Sequence, residues 1–284
     1  MAFLRPTRLD EALGVLAAGA PGGAPWVVVA GATDHYPSRV GRAPVEDVLD
    51  VTAIPGLRGV SSIDGGWRIG ALTTWTDLVE AGLPPLFDGL RAAALAIGGL
   101  QIQARATIVG NVCNASPAAD GLPNLLAMDA AVELASGRGQ RRVPIGAFVT
   151  GNRRTVRTAD ELVTGLFIPS AMPGTTVRST FEKLGTRAYL VISIAMVAAV
   201  VEVAADGRIA RVRVAVGACS EVAQRLPDLE AALAGRPAAP ATAQLVRPDH
   251  VARLTPIDDV RGTGTYRRDA ALALVRRTLE QVLA

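Results

Sequence analysis

The first clear pattern along the chain is an amphipathic stretch at Arg8–Ala18, with apolar Leu9, Ala12, Leu13 and Leu16 on one face. Spacing of three and four residues predicts a helix, with Asp10 and Glu11 suited to its start. Pro21-Gly-Gly breaks it. Trp26-Val-Val-Val-Ala30 is a continuous apolar run of strand length, which predicts a fully buried strand. It ends at Gly31-Ala-Thr-Asp34, followed by a short helical turn near Pro37 and a second strand at Asp47–Val51. Leu57–Ser61 and Trp67–Ala71 flank Asp64-Gly-Gly, a strong hairpin signal. Thr73 or Thr74 is placed to cap a helix through Ala81. A further helix is expected from Pro85 to Ile97, stopped by Gly98-Gly99.

Segment 100–120 is rich in Gly, Asn, Ser and Pro and reads as a structured loop, followed by a helix at Pro123–Met128. Strands are expected at Ala131–Ala135, Gln140–Pro144 and Glu161–Ile168. Pro169–Thr175, with two prolines and a glycine, marks the best domain boundary. Beyond it lie extended segments at Val177–Lys183, Ile192–Ala204 and Arg208–Gly217, the last two joined across Asp206-Gly207. Leu226–Ala234, Thr242–Leu254 and Tyr266–Leu283 read as helices. The pattern predicts an α+β chain whose C-terminal part is a three-stranded antiparallel sheet with helices on one face.

Composition sharpens this picture. Half of the 284 residues are apolar and 19% are charged, enough for a core and against disorder. A formal charge of +3, with no run of five basic residues, argues against a nucleic-acid partner. The clusters Arg138–Arg142 and Arg153–Arg157 read as solvated loops. The two cysteines, Cys113 and Cys219, match no metal-ligand spacing; an iron–sulfur cluster needs about four ligands, so none is expected here. Cys113 reads as a buried inert thiol and His250 as an exposed helix residue. The start, Met1-Ala-Phe-Leu-Arg-Pro, resembles no leader, and the longest apolar stretch, Leu190 to Val201, is shorter than the roughly 20 residues a bilayer span needs. These features predict a cytoplasmic protein without a membrane span. Among the basic residues Lys183 is the lone lysine. Codon bias explains the arginines but not the exception, which singles out a place where a compact ammonium fits and a guanidinium does not.

Two segments have the chemistry to hold a dinucleotide, whose pyrophosphate needs backbone N–H groups and small residues that permit close approach. One is Ala30-Gly-Ala-Thr-Asp34, directly after a strand. The other is Thr107-Ile-Val-Gly-Asn-Val-Cys-Asn-Ala-Ser116. No G-x-G-x-x-G fingerprint and no G-x-x-x-x-G-K-[ST] motif is present.

Together with Glu161-Leu-Val-Thr-Gly-Leu-Phe-Ile-Pro169, Phe181-Glu-Lys-Leu-Gly185, Ala215-Val-Gly-Ala-Cys-Ser220 and Tyr266-Arg-Arg268, these segments give a pattern. It resembles the flavoprotein subunit, or middle domain, of the xanthine dehydrogenase and carbon monoxide dehydrogenase type of molybdenum hydroxylase. The resemblance implies a two-lobed FAD-binding domain of the vanillyl-alcohol-oxidase-like type at 1–172 (sublobes about 1–54 and 55–172). A C-terminal flavoprotein domain would follow at 173–284. It implies non-covalent FAD, with molybdopterin on a large partner subunit, 2Fe-2S clusters on a small one, and a dimer of heterotrimers.

By the same resemblance Val29, Ala30, Gly31, Ala32, Thr33, Asp34 and His35 form one pyrophosphate grip, and Ala106, Thr107, Gly110 and Asn111 the other. Asn114, Ser116 and Asp120 fall at ribityl- or ribose-bonding positions, Ile97 and Val163 against the ring systems, and Lys183 near the flavin, where its charge would favour a reduced, anionic ring. Asp120 is equally placed to cap the helix that follows, and His35 reads as either a cofactor neighbour or a packing residue. Relatives usually carry Ala-Gly-Gly in the first loop, where this chain has Ala32 as the third residue. No residue is expected to act as a general acid or base, and no metal ligand is expected. The electrons would leave to NAD, O₂ or another acceptor. A self-sufficient flavoprotein oxidase would need a Tyr, His or Arg constellation in the second domain, which three tyrosines and two histidines in all do not suggest. An FAD-free scaffold is the third reading, motivated by Ala32.

Overall fold

The computed structural model describes residues 1–41, 43 and 45–284. The chain begins with β1 (Phe3–Leu4), α1 (Leu9–Ala18), β2 (Val27–Val29), a 3-10 turn at Pro37–Arg39 and β3 (Val48–Asp50). β3 lies between β1 and β2, parallel to both. Of β2, only Val29 is fully buried; Val27 and Val28 are half-buried because they border an open cleft.

A second unit starts with the hairpin β4 (Val60–Ile63) and β5 (Gly66–Gly70), turned at Asp64-Gly65 with Gly65 at φ +78°. Thr74 caps α2 (Trp75–Glu80) in a reciprocal box: its hydroxyl accepts from Asp77 N at 3.1 Å, and Asp77 Oδ2 accepts from Thr74 N at 2.9 Å. α3 (Asp88–Ala96) stops at Gly98, which adopts φ +53°. Then follow α4 (Leu100–Gln103), α5 (Ile108–Asn114), α6 (Gly121–Ala127), β6 (Ala131–Ser136), β7 (Gly139–Pro144) and α7 (Ile145–Phe148). The small hairpin β8 (Val149–Gly151) and β9 (Arg154–Thr155) leads to β10 (Leu162–Pro169). The sheet order β4-β5-β10-β6-β7 is antiparallel throughout.

Segment 100–120 is therefore not a loop. Ile108, Val109 and Val112 are buried at helical spacing, and Thr107 Oγ1 accepts from Gly110 N at 3.0 Å. The glycine and asparagines that suggest a loop ride on the other side of α5.

The remaining chain forms β11 (Thr176–Leu184), β12 (Ala195–Val203), β13 (Ile209–Gly217), β14 (Gln224–Arg225), α8 (Pro227–Leu233) and α9 (Gly264–Val282). The sheet order is β11-β12-β13-β14, so the expected three strands gain a short fourth. The expected helix at Thr242–Leu254 is instead two 3-10 turns, Pro240–Leu245 and Pro248–Val251. Pro248 has no N–H to continue a helix and forces the preceding residue out of it. His250 is buried there, its Nδ1 accepting from Arg247 N at 3.0 Å.

Helices do not cover one face only. In β12, Ala195, Val197, Ala199 and Val201 join the core under α9, while Met196, Ala198 and Val200 join the core of the N-terminal part. On that second side the sheet packs against α3 and α6. Alternate residues of one strand thus serve two cores, which explains an apolar run too regular in its hydrophobicity to show a polar face.

Candidate functional site

The two small-residue segments meet. The first leaves β2 and turns at Gly31, where a Cβ would lie 2.0 Å from the carbonyl oxygen of Arg105. Only glycine lets these two backbones touch. The second segment is in turn held to α2: Ala106 O accepts from Trp75 N at 3.3 Å and Ile108 N donates to Thr73 O at 3.0 Å. Two capping threonines, Thr74 and Thr107, thereby start neighbouring helices side by side.

Between these elements runs a cleft of about 690 Å³, within the range of roughly 300–1,000 Å³ usual for cofactor sites. Its wall contains Val29, Ala30, Gly31, Ala32, Thr33, Asp34, His35, Ile97, Ala106, Thr107, Gly110, Asn111, Asn114 and Val163. Residues from four separate stretches of sequence are thus brought to one place. Two residues of the wall carry buried side-chain atoms without a hydrogen-bond partner among the described residues, Trp26 Nε1 and Asn111 Oδ1, the latter turned toward Gly121 of α6. Ala32 adopts φ +55°, the left-handed region in which a side chain is disfavoured.

Three expected residues are not part of this wall. Ser116 accepts from Ala118 N at 3.3 Å in the turn before α6. Asp120 makes no side-chain cap to α6. Its carboxylate instead receives Lys183 Nζ at 2.6 Å and Ser193 Oγ at 2.6 Å. Asp120 and Lys183 are both nearly buried, and Lys183 Nζ also donates to Ala96 O at 3.4 Å, next to the cleft residue Ile97. Burial pushes the Asp120 carboxyl above its ordinary value, against the pull of Lys183 and Ser193. The lone lysine therefore joins the sheet strand β11 to the helices behind the cleft.

Several wall residues escape the sequence pattern. Arg153 and Arg157 line the cleft, and Arg153, on the turn between β8 and β9, is solvent-exposed as the loop reading expects. Arg153 Nη1 donates to Asp34 Oδ2 at 2.7 Å and also to Asn114 Oδ1, and this guanidinium holds the Asp34 carboxyl below the usual range. Arg157 Nη1 donates to the carbonyls of Thr158 at 3.1 Å and Glu161 at 2.8 Å. Glu161 takes both Arg141 nitrogens at 2.6 and 2.9 Å, which brings its pKa down to about 2. The partners of Arg153 lie 119 and 39 residues away in sequence, beyond any local pattern. Cys113 is exposed on the cleft wall, not buried. Desolvation beside the cleft wall pushes its thiol upward. His35 borders the cleft, edge-on to Tyr36 at 5.0 Å, with its pKa lowered mainly by burial.

These features give a cleft of cofactor size walled by small-residue backbone. A family model described as the FAD binding domain in molybdopterin dehydrogenase matches residues 1–171, and one described as the CO dehydrogenase flavoprotein C-terminal domain matches residues 179–282. The chain belongs to this family of FAD-binding molybdenum hydroxylase subunits. The nicotine 6-hydroxylase medium subunit of Paenarthrobacter nicotinovorans is 30% identical over 82% of this chain and 80% of its own. The carbon monoxide dehydrogenase medium chain of Hydrogenophaga pseudoflava is 27% identical over 85% and 83%. A solved chain of carbon monoxide dehydrogenase from the same organism superposes with a TM-score of 0.85 at 26% identity, covering 99% of this chain and 96% of that one.

Proposed function

We propose that the cleft between the Ala30–Asp34 segment and α5 holds FAD, non-covalently, as the electron-relay site of a molybdenum hydroxylase. The observation that carries this reading is the Gly31–Arg105 backbone contact, which joins two separately recognised segments into one cradle. FAD supplies the chemistry of taking up electrons and passing them on. The protein's residues bind and orient it. Gly31, Ala32 and Gly110 offer a backbone with little side-chain bulk, and Ile97 and Val163 offer apolar contact.

Two relatives are named as medium subunits or chains, which supports an assembly with a larger and a smaller partner. Two cysteines are too few for iron–sulfur ligation, so 2Fe-2S clusters fall to the small subunit and molybdopterin to the large one. We read the domains as 1–172, a two-lobed unit of the vanillyl-alcohol-oxidase-like type (sublobes about 1–54 and 55–172), and 173–284. The complex is proposed to be a cytoplasmic dimer of heterotrimers. No helix among the described residues is long and apolar enough to cross a membrane. Electrons leave to NAD, O₂ or another acceptor.

Co-production with the neighbouring reading frames tests the reading. A complex of three chains that shows the visible bands of oxidised flavin and loses them on adding substrate is expected. A chain that purifies alone and oxidises a substrate by itself would contradict it.

A further inference from the structure

The hairpin β8–β9 belongs to neither small-residue segment, yet it is fastened to both. Its turn residue Arg153 adopts φ +59°, a conformation uncommon for any residue with a side chain. The Arg153 N–H donates to Ala115 O at 2.9 Å, and Ala115, just past the end of α5, is itself left-handed at φ +48°. On the other flank, Glu221 Oε1 accepts from Asn152 N at 3.1 Å and Arg154 Nη2 at 3.0 Å. The hairpin is thus held from two sides, and the Arg153 guanidinium is aimed across the cleft at Asp34 and Asn114.

Asp34 poses a problem that this arrangement answers. A carboxylate in the wall of a site for an anionic pyrophosphate repels its ligand. The other wall carboxylate, Glu161, is already matched by Arg141. Among the described residues Asp34 forms its ion pair with Arg153, through Nη1 at 2.7 Å and Nη2 at 3.3 Å, while Arg39, also on the cleft wall, adds a weaker pull from farther away.

We propose that Arg153 is a positioning residue of the FAD site, neutralising Asp34 so that the cleft admits an anionic dinucleotide. The inference rests on assigning this cleft to FAD. It places the cation outside the two segments that carry the family pattern, on a hairpin that Glu221 anchors to the C-terminal part.

The test is FAD titration of the flavin-stripped full chain in four forms: unaltered, Arg153→Gln, Asp34→Asn, and both together. Arg153→Gln should raise the Kd on the order of tenfold at low salt, and by less at high salt, where the exposed Asp34 charge is screened. Asp34→Asn should weaken binding less than Arg153→Gln does. The double variant should recover most of the loss, because the unpaired carboxylate is gone. The inference is overturned if Arg153→Gln leaves the Kd unchanged. It is equally overturned if Asp34→Asn weakens binding as much as Arg153→Gln and the double variant shows no recovery, since both changes would then merely break one structural tie. An unaltered chain that takes up no FAD would overturn the cleft assignment, and this inference with it.

Discussion

Ala32 stands where the first segment needs a left-handed residue, at φ +55°. Its carbonyl accepts from Tyr36 N at 3.3 Å, and Gly31 beside it is pressed against Arg105, so the chain cannot relax away. A left-handed conformation costs an L-residue about 1–2 kcal/mol, part of which a glycine would return through its looser unfolded state. Ala32→Gly should therefore stabilise the protein by up to about 1 kcal/mol, seen as a higher urea midpoint at unchanged slope; a lower midpoint would contradict the strain. The sequence makes Gly31 legible as a turn residue after a strand, but its contact with Arg105 depends on a backbone 74 residues away. Lys183 is similar. Composition alone singles it out, and it does occupy a nearly buried place where a compact ammonium meets Asp120 at 2.6 Å. That its partner is Asp120, with Ser193 on the other oxygen, follows only from the packing of β11 against the helices.

At the scale of elements, apolar runs locate β2 and β3, turn dipeptides locate the two hairpins, and helical spacing locates α3 and α9. The pattern misses α5, where capping by Thr107 and burial of Ile108, Val109 and Val112 outweigh a loop-like composition. It overextends one helix across Pro248, where the missing N–H decides. The entry to β10 shows how an element's edge is secured by charge. Glu161 is nearly buried, accepts both Arg141 nitrogens and Thr158 N at 2.9 Å, and titrates near 2 rather than the ordinary 4.5. A depressed carboxyl stabilises the fold fully above its unfolded pKa and loses that contribution as pH falls through the folded one. Stability should thus decline between about pH 4.5 and 2, and Glu161→Gln should remove a share of that decline while lowering stability at neutral pH. Urea unfolding of both proteins across this range checks it; parallel curves would show that Glu161 is not the group responsible.

The whole molecule is organised around β12, whose alternate residues enter two cores. Charged groups then fix the two parts against each other. Arg213, nearly buried, meets Glu202 at 2.7 Å on its own sheet and Asp129 at 2.9 Å beyond α6, and Arg225 also reaches Asp129 at 2.8 Å. With Lys183–Asp120 and the Glu221 contacts to the β8–β9 hairpin, the C-terminal part braces the back and one side of the cleft without supplying its floor. Such an arrangement suits a subunit whose task is to hold one cofactor in a fixed place. The Gly31 contact is what builds the proposed FAD cradle. The visible spectrum of the purified full chain after incubation with FAD and removal of the free excess, compared with that of Gly31→Ala, tests it most directly. The account predicts bound flavin in the unaltered chain and little or none in a folded Gly31→Ala, whose Cβ would lie 2.0 Å from the Arg105 oxygen. Equal flavin content in the two would contradict it.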